Sequence, residues 1–141
     1  MREIKFRAWD KEERVMGEVT RLDEMVYVEY LSSKPVTSCL HCAGLKCSHP
    51  HKYISNTIEL MQYTGLKDRY GKEIYEGDIV ELANGQRRQI AYAYCWARYM
   101  LSLDGENCIE YLETYCEPIT YSRNIEVIGN IYENPELLES E

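Results

Sequence analysis

Phenylalanine is almost missing from this chain: Phe6 stands alone against 13 Tyr. A buried Tyr needs a partner for its hydroxyl, so many of the 13 are expected at the surface or its margin. Long apolar runs are missing too. Nothing approaches the ~20 consecutive apolar residues of a membrane helix, so no membrane association is expected. The stretch Met1-Arg2-Glu3-Ile4-Lys5-Phe6-Arg7 lacks the apolar centre of a secretory signal, and a cytoplasmic location is the expectation. Basic charge is in deficit, with 16 Lys and Arg against 24 Asp and Glu and a net charge of −8. That balance excludes a generic basic nucleic-acid coat. Catalytic signatures are also lacking: there is no phosphate-cradling P-loop, no G-x-S-x-G elbow and no H-E-x-x-H helix. All three His lie between residues 41 and 51. No His elsewhere can serve as a general acid or base, and the chain is not expected to be an enzyme.

What is present reads as strand. The length of 141 residues suits a single domain with its own core. Ile4, Phe6 and Ala8 alternate with Lys5 and Arg7, the period-2 pattern of a half-buried strand. Asp10-Lys11-Glu12-Glu13 is a polar break, and Val15 to Val28 supplies further β-formers. The pattern resumes with Ile58, Leu60 and Gln62. Turns are expected at Asp68-Arg69-Tyr70-Gly71 and at Glu76-Gly77-Asp78, and Ile79-Val80-Glu81-Leu82 reads as a short strand. Asn84-Gly85 carries the two-residue type I′ hairpin signal, which needs positive φ at both positions. It is expected to join that strand to a long one from Arg87 to about Leu103, closed by Asp104-Gly105. Cys108 to Cys116 fits either helix or strand. Ile125 to Tyr132 is a last strand. Asn134-Pro135-Glu136 then reads as an N-cap, a proline at N1 and an acidic first turn of a short C-terminal helix. Several short strands with glycine turns indicate a small barrel or sandwich.

Residues 30–58 differ in character and read as a loop insertion. They hold Lys34, Lys46 and Lys52 and no acid, so a locally basic segment sits in an acidic chain. Within them, Cys39 and Cys42 have the C-x₂-C spacing that lets one tight turn offer two thiolates to a tetrahedral Zn²⁺. Cys47 is the candidate third ligand and His49 or His51 the fourth. Such a closed Cys₃His site would be structural, folding a loop too polar to bury itself. Disulfides are the competing reading, without a signal peptide to support them. Cys95, Cys108 and Cys116 are expected to pack as small apolar groups.

If residues 87–101 form one strand, Arg88, Tyr92, Tyr94, Trp96 and Arg98 share a face. Aromatics flanked by arginines can stack bases and hold phosphates, or form a protein-binding hot spot. They can equally fill a core, since aromatics are favoured in strands.

Three segments resemble the YopX family of phage and prophage proteins. They are Arg2 to Asp10 (REIKFRAWD), Leu60 to Val80 (with LMQYTGLKD and GKEIYEGDIV), and Ile125 to Leu138 (IEVIGNIYENPELL). The resemblance implies a single YopX-like domain over residues 1–141, mainly β, with an SH3-like small barrel. It transfers no activity and no catalytic residues. Within these words, Gly65, Gly71, Gly77 and Gly129 are expected at turns. Trp9, Leu60, Ile79, Val80, Val127 and Ile131 are expected in the core. The resemblance points to a non-catalytic accessory protein that binds a host macromolecule, most concretely a host protein of a defence or regulatory complex. The alternative is a zinc-containing nucleic-acid-binding module using the Cys/His loop and the Arg/aromatic strand. An enzyme acting on a nucleotide or small molecule ranks last. Edge strands leave the oligomeric state open.

Overall fold

The computed structural model describes residues 3–22, 26–30, 51–53, 58–93, 97–102, 116–118 and 124–139. The protein is mainly β, as the alternation implied, and its strands form two antiparallel sheets, neither closed on itself among the described residues. The chain packs as two compact units, Lys5–Gln62 and Met1–Ile4 with Tyr63–Glu141.

In the unit Lys5–Gln62, β1 (Phe6–Asp10) lies between β2 (Val15–Leu22) and the first half of β5 (Ile58–Lys67). β3 (Val26–Tyr30) and β4 (His51–Tyr53) extend the sheet beyond β2. The stretch read as Val15–Val28 is thus two paired strands. The presumed insertion 30–58 contributes β4, because Lys52 and its neighbours pair with β3. The turn after β1 is held by Asp10: its buried carboxylate accepts the N–H groups of Glu12 (2.9 Å) and Glu13 (3.1 Å). The Arg14 N–H closes onto the Asp10 carbonyl at 2.8 Å, and Arg14 takes a left-handed φ of 54°.

The core expectation needs two corrections. Trp9, Ile79, Val80 and Val127 are buried, but Leu60 is 38% exposed and Met61 is buried instead. The pleat explains it: Leu60 and Met61 point to opposite faces, and Met61 pairs with Arg7, whose Nη2 donates to its Sδ at 3.6 Å. Ile131 is only half-buried because it lies past the strand, in a turn.

In the unit containing Tyr63–Glu141, β6 (Glu73–Tyr75) pairs with the second half of β5. A five-stranded sheet follows in the order β10 (Cys116–Pro118), β9 (Arg98–Ser102), β8 (Arg87–Ala93), β7 (Asp78–Leu82), β11 (Ile125–Asn130). Its core cluster joins Ile74, Val80, Ile90, Tyr99, Leu101, Ile125 and Val127, with Leu66, Leu82 and Tyr92 packed against it. The Asn84-Gly85 hairpin forms between β7 and β8, but not as a type I′ turn. Only Gly85 has positive φ (82°), and the Leu82 N–H reaches the Gln86 carbonyl (2.8 Å) across a wider loop. The Asn84 side chain accepts the Gln86 N–H at 3.0 Å, which gives Asn84 a local partner without a left-handed backbone.

The long strand 87–103 is interrupted. β8 and β9 are separate antiparallel strands, and Ala97 takes a φ of 51° just before β9. The short C-terminal helix is a single 3₁₀ turn, Pro135–Leu137. Pro135 stands at its start as expected, but the Asn134 side chain makes no capping hydrogen bond. Asp104-Gly105 and the ambiguous run up to Cys116 lie outside the described residues, except that Cys116 opens β10.

Candidate functional site

The proposed ligands Cys39, Cys42, Cys47 and His49 lie outside the described residues, as do Cys95 and Cys108. The alternative ligand His51 opens β4, where its Cα registers with Val28. Among the described residues no group of three His, Cys, Asp or Glu gathers around a common point.

The Arg/aromatic row does not survive as one face. Tyr94 and Trp96 lie outside the described residues. Tyr92 registers with Tyr99, their rings meeting edge-on at 5.1 Å and 69°. Ile90 registers with Leu101 on the same side, and Ile90, Tyr99 and Leu101 belong to the core cluster. Tyr92 therefore faces inward and is half-buried. Arg98 registers with Ala93, one residue out of phase, so it stands on the opposite face of the sheet from Tyr92. The break before β9 causes this, because a single uninterrupted strand would have kept even-numbered residues together. Arg88 is half-buried, and its Nη1 donates to the Arg87 carbonyl at 2.7 Å.

What reading by residue type missed is a set of buried polar side chains that hold turns. Asp68 is the most heavily used. One of its carboxylate oxygens accepts the N–H groups of Tyr70 (2.8 Å) and Lys72 (2.9 Å), and the other accepts the Val127 N–H (3.1 Å). Burial by itself would raise its pKa. The N–H groups of Val127, Lys72 and Tyr70 and the charge of Lys72 outweigh burial and hold it below the ordinary aspartate value. Gly71, at φ 85°, lets the turn close, with its N–H on the Asp68 carbonyl at 3.0 Å.

Asp78 is fully buried and accepts the Tyr75 N–H at 2.8 Å. Asn130 accepts the N–H groups of Tyr132 (3.0 Å) and Glu133 (2.9 Å). Thr64 donates to the Ile74 carbonyl at 2.8 Å and accepts the Leu66 N–H at 3.2 Å. The available signal was an Asp or Asn beside a turn glycine, as in Asp68 to Gly71 and Gly77-Asp78.

The Asp68 turn presents a surface group. Tyr70 is 72% exposed, and the Arg69 guanidinium lies 5.0 Å from its ring centroid. Arg69 also pairs with Glu126 of β11, and its backbone N–H donates to the Ile125 carbonyl at 3.1 Å. The ring thus stands on a turn fixed at both backbone and side-chain level. Among the described residues whose side-chain burial is known, it is the one large exposed aromatic.

A model of the YopX protein family matches residues 5–139. The crystal structure of protein EF1440 from Enterococcus faecalis is similar, with 30% sequence identity and a TM-score of 0.59. The match covers 98% of this chain and 99% of that one. Comparison with curated proteins gave no match. No helix among the described residues is long and apolar enough to cross a membrane.

Proposed function

The chain belongs to the YopX family, and from that membership we propose a non-catalytic binding protein of phage or prophage origin whose partner is a host protein. The observation that carries this reading is Tyr70 on its locked turn. Tyr and Arg are the residue types that dominate interface energy. A residue whose backbone is already held by Asp68 and whose ring lies against Arg69 loses little further freedom on binding. A host defence or regulatory complex in the bacterial cytoplasm is the concrete target, with inhibition as the outcome. The finer fold reading is an SH3-like barrel carrying a zinc-stapled Cys/His loop, with Cys39, Cys42, Cys47 and His49 or His51 as ligands.

Capture from host lysate tests the binding reading. The full chain is expected to retain one host protein at fixed stoichiometry, and Tyr70→Ala to weaken retention about tenfold, as a hot-spot truncation does. Equal retention by the variant refutes the role of Tyr70, and no stoichiometric partner refutes the reading. Binding to labelled oligonucleotides that falls steeply with added salt would instead favour the nucleic-acid module. Elemental analysis of freshly purified protein tests the zinc staple separately: about one equivalent is expected, and clearly less rejects a tight structural site.

A further inference from the structure

β11 is the last strand of its sheet among the described residues, paired on one side with β7. An edge strand normally exposes a row of N–H and C=O groups that can template pairing with another chain. Here three of those outward groups are taken. The Val127 N–H donates to the Asp68 carboxylate (3.1 Å), the Val127 carbonyl accepts from Lys72 Nζ (3.4 Å), and the Ile125 carbonyl accepts from the Arg69 N–H (3.1 Å). All three partners come from the same turn. None is a β-strand, so the sheet is ended rather than extended. The ion pair of Arg69 with Glu126 fastens the turn to the strand once more.

We propose that the Asp68–Lys72 turn is a seal on the β11 edge, with the Asp68 carboxylate as its latch, and that the edge it covers would otherwise pair with β11 of a second copy of this chain. The strand suits such pairing up to Val127, beyond which its register against β7 shifts before Gly129. Val127 directs both its N–H and its C=O outward, the requirement for a hydrogen-bonded pair with its own symmetry mate. Two-fold antiparallel pairing centred on Val127 sets Glu126 opposite Ile128, so no like charges face each other. The seal thus separates a solitary sheet from a continuous one, and the turn that presents Tyr70 is also what blocks this edge.

Asp68→Asn is the informative change. Its remaining carbonyl oxygen still accepts the turn N–H groups of Tyr70 and Lys72, while its NH₂ meets the Val127 N–H donor to donor. Hydrogen exchange at the Val127 amide is expected to quicken about tenfold or more as the edge loses its partner. Sedimentation velocity across a concentration series should show a mass that rises with concentration, where the wild type shows none. Adding Val127→Pro removes the outward N–H at an edge position that tolerates proline, and should return the mass to the wild-type value. The proposal is overturned if Asp68→Asn leaves Val127 exchange unchanged, or if its mass does not respond to concentration. Association that persists in the Asp68→Asn/Val127→Pro chain also overturns it, since another surface is then responsible. Circular dichroism of each variant confirms that its β content is retained. If Asp68→Asn loses it, Lys72→Met, which frees the Val127 carbonyl, takes its place with the concentration series as the reading, and an unresponsive mass overturns the proposal. If the Val127→Pro chain loses it, Ile128→Glu, which sets like charges opposite Glu126 in that pairing, takes its place.

Discussion

Replacing Thr64 by valine is expected to destabilise the second unit although it adds an apolar methyl. The Thr64 hydroxyl bridges a place where the β5–β6 ladder is irregular, between the Tyr63–Tyr75 and Lys67–Glu73 pairs. It donates to the carbonyl of Ile74, a fully buried residue, and accepts the Leu66 N–H. Valine leaves both backbone groups without that partner. A buried group left unsatisfied costs roughly 1–3 kcal/mol. The extra methyl returns about 0.8 kcal/mol, so a net loss of about 2 kcal/mol is expected with two groups exposed to the penalty. Thr64→Ser keeps the hydroxyl and loses only the methyl, about 1 kcal/mol. The order wild type, serine, valine therefore puts last the residue that ranks first in hydrophobicity and in β-propensity. Urea unfolding at constant m-value reads the order. Exchange at the Leu66 amide, accelerated roughly thirtyfold for 2 kcal/mol of local stability, reads the site. Valine as stable as wild type, or more stable than serine, would refute the bridging role of the hydroxyl.

Three further outcomes follow from the same geometry. A Cβ at Gly129 would lie 2.6 Å from Asn134 Oδ1 and 2.9 Å from Leu137 Cδ1. Gly129→Ala should therefore cost about 1 kcal/mol as these side-chain ends turn away; most of it should return in a Gly129→Ala/Asn134→Ala cycle read by urea unfolding. Arg14→Gly relieves a left-handed φ that disfavours side chains by ~1 kcal/mol, partly offset by glycine's backbone entropy, so Tm should hold or rise slightly. Two carboxylates should give opposite pH signatures. Asp68 has a lowered folded pKa, so its contribution is present above the ordinary aspartate value and is lost as pH falls through the lowered one. Burial raises the pKa of Glu76, so its contribution is present below the ordinary glutamate value and is lost as pH rises through the raised one. Glu76→Gln should stabilise at neutral pH and lose that gain below about pH 4.3, as urea midpoints across a pH series would show.

The strands were legible because period-2 alternation depends only on nearest neighbours along the chain. β7 and β11 stand where Ile79–Leu82 and Ile125–Tyr132 suggested them, β11 ending at Asn130, while β1 is displaced two residues from Ile4–Ala8 to Phe6–Asp10 and leaves Ile4 exposed. The turns at Asp68–Gly71 and Gly77–Asp78 were legible for the same local reason, since Asp and Gly each carry a turn chemistry of their own. Alternation does not say which face is buried, and so Leu60 and Met61 exchanged roles. Nor does it say whether two β-prone runs are one strand or two. The break before Arg98 put that residue and Tyr92 on opposite faces and divided the expected binding row.

By itself, then, the sequence determined a mainly β chain of the YopX family, its turns at Asp68–Gly71 and Gly77–Asp78 and its acidic balance, all properties of local pattern and composition, whereas Gly65 and Gly129, expected at turns, lie within β5 and β11. Only the tertiary structure decided what Asp68 does. Its carboxylate satisfies two amides within its own turn and a third on Val127, 59 residues away, and that long-range hydrogen bond has no local sequence pattern. The same carboxylate that holds the Tyr70 backbone through one oxygen caps the β11 edge through the other, because backbone donors at a sheet margin must find a partner wherever the fold brings one.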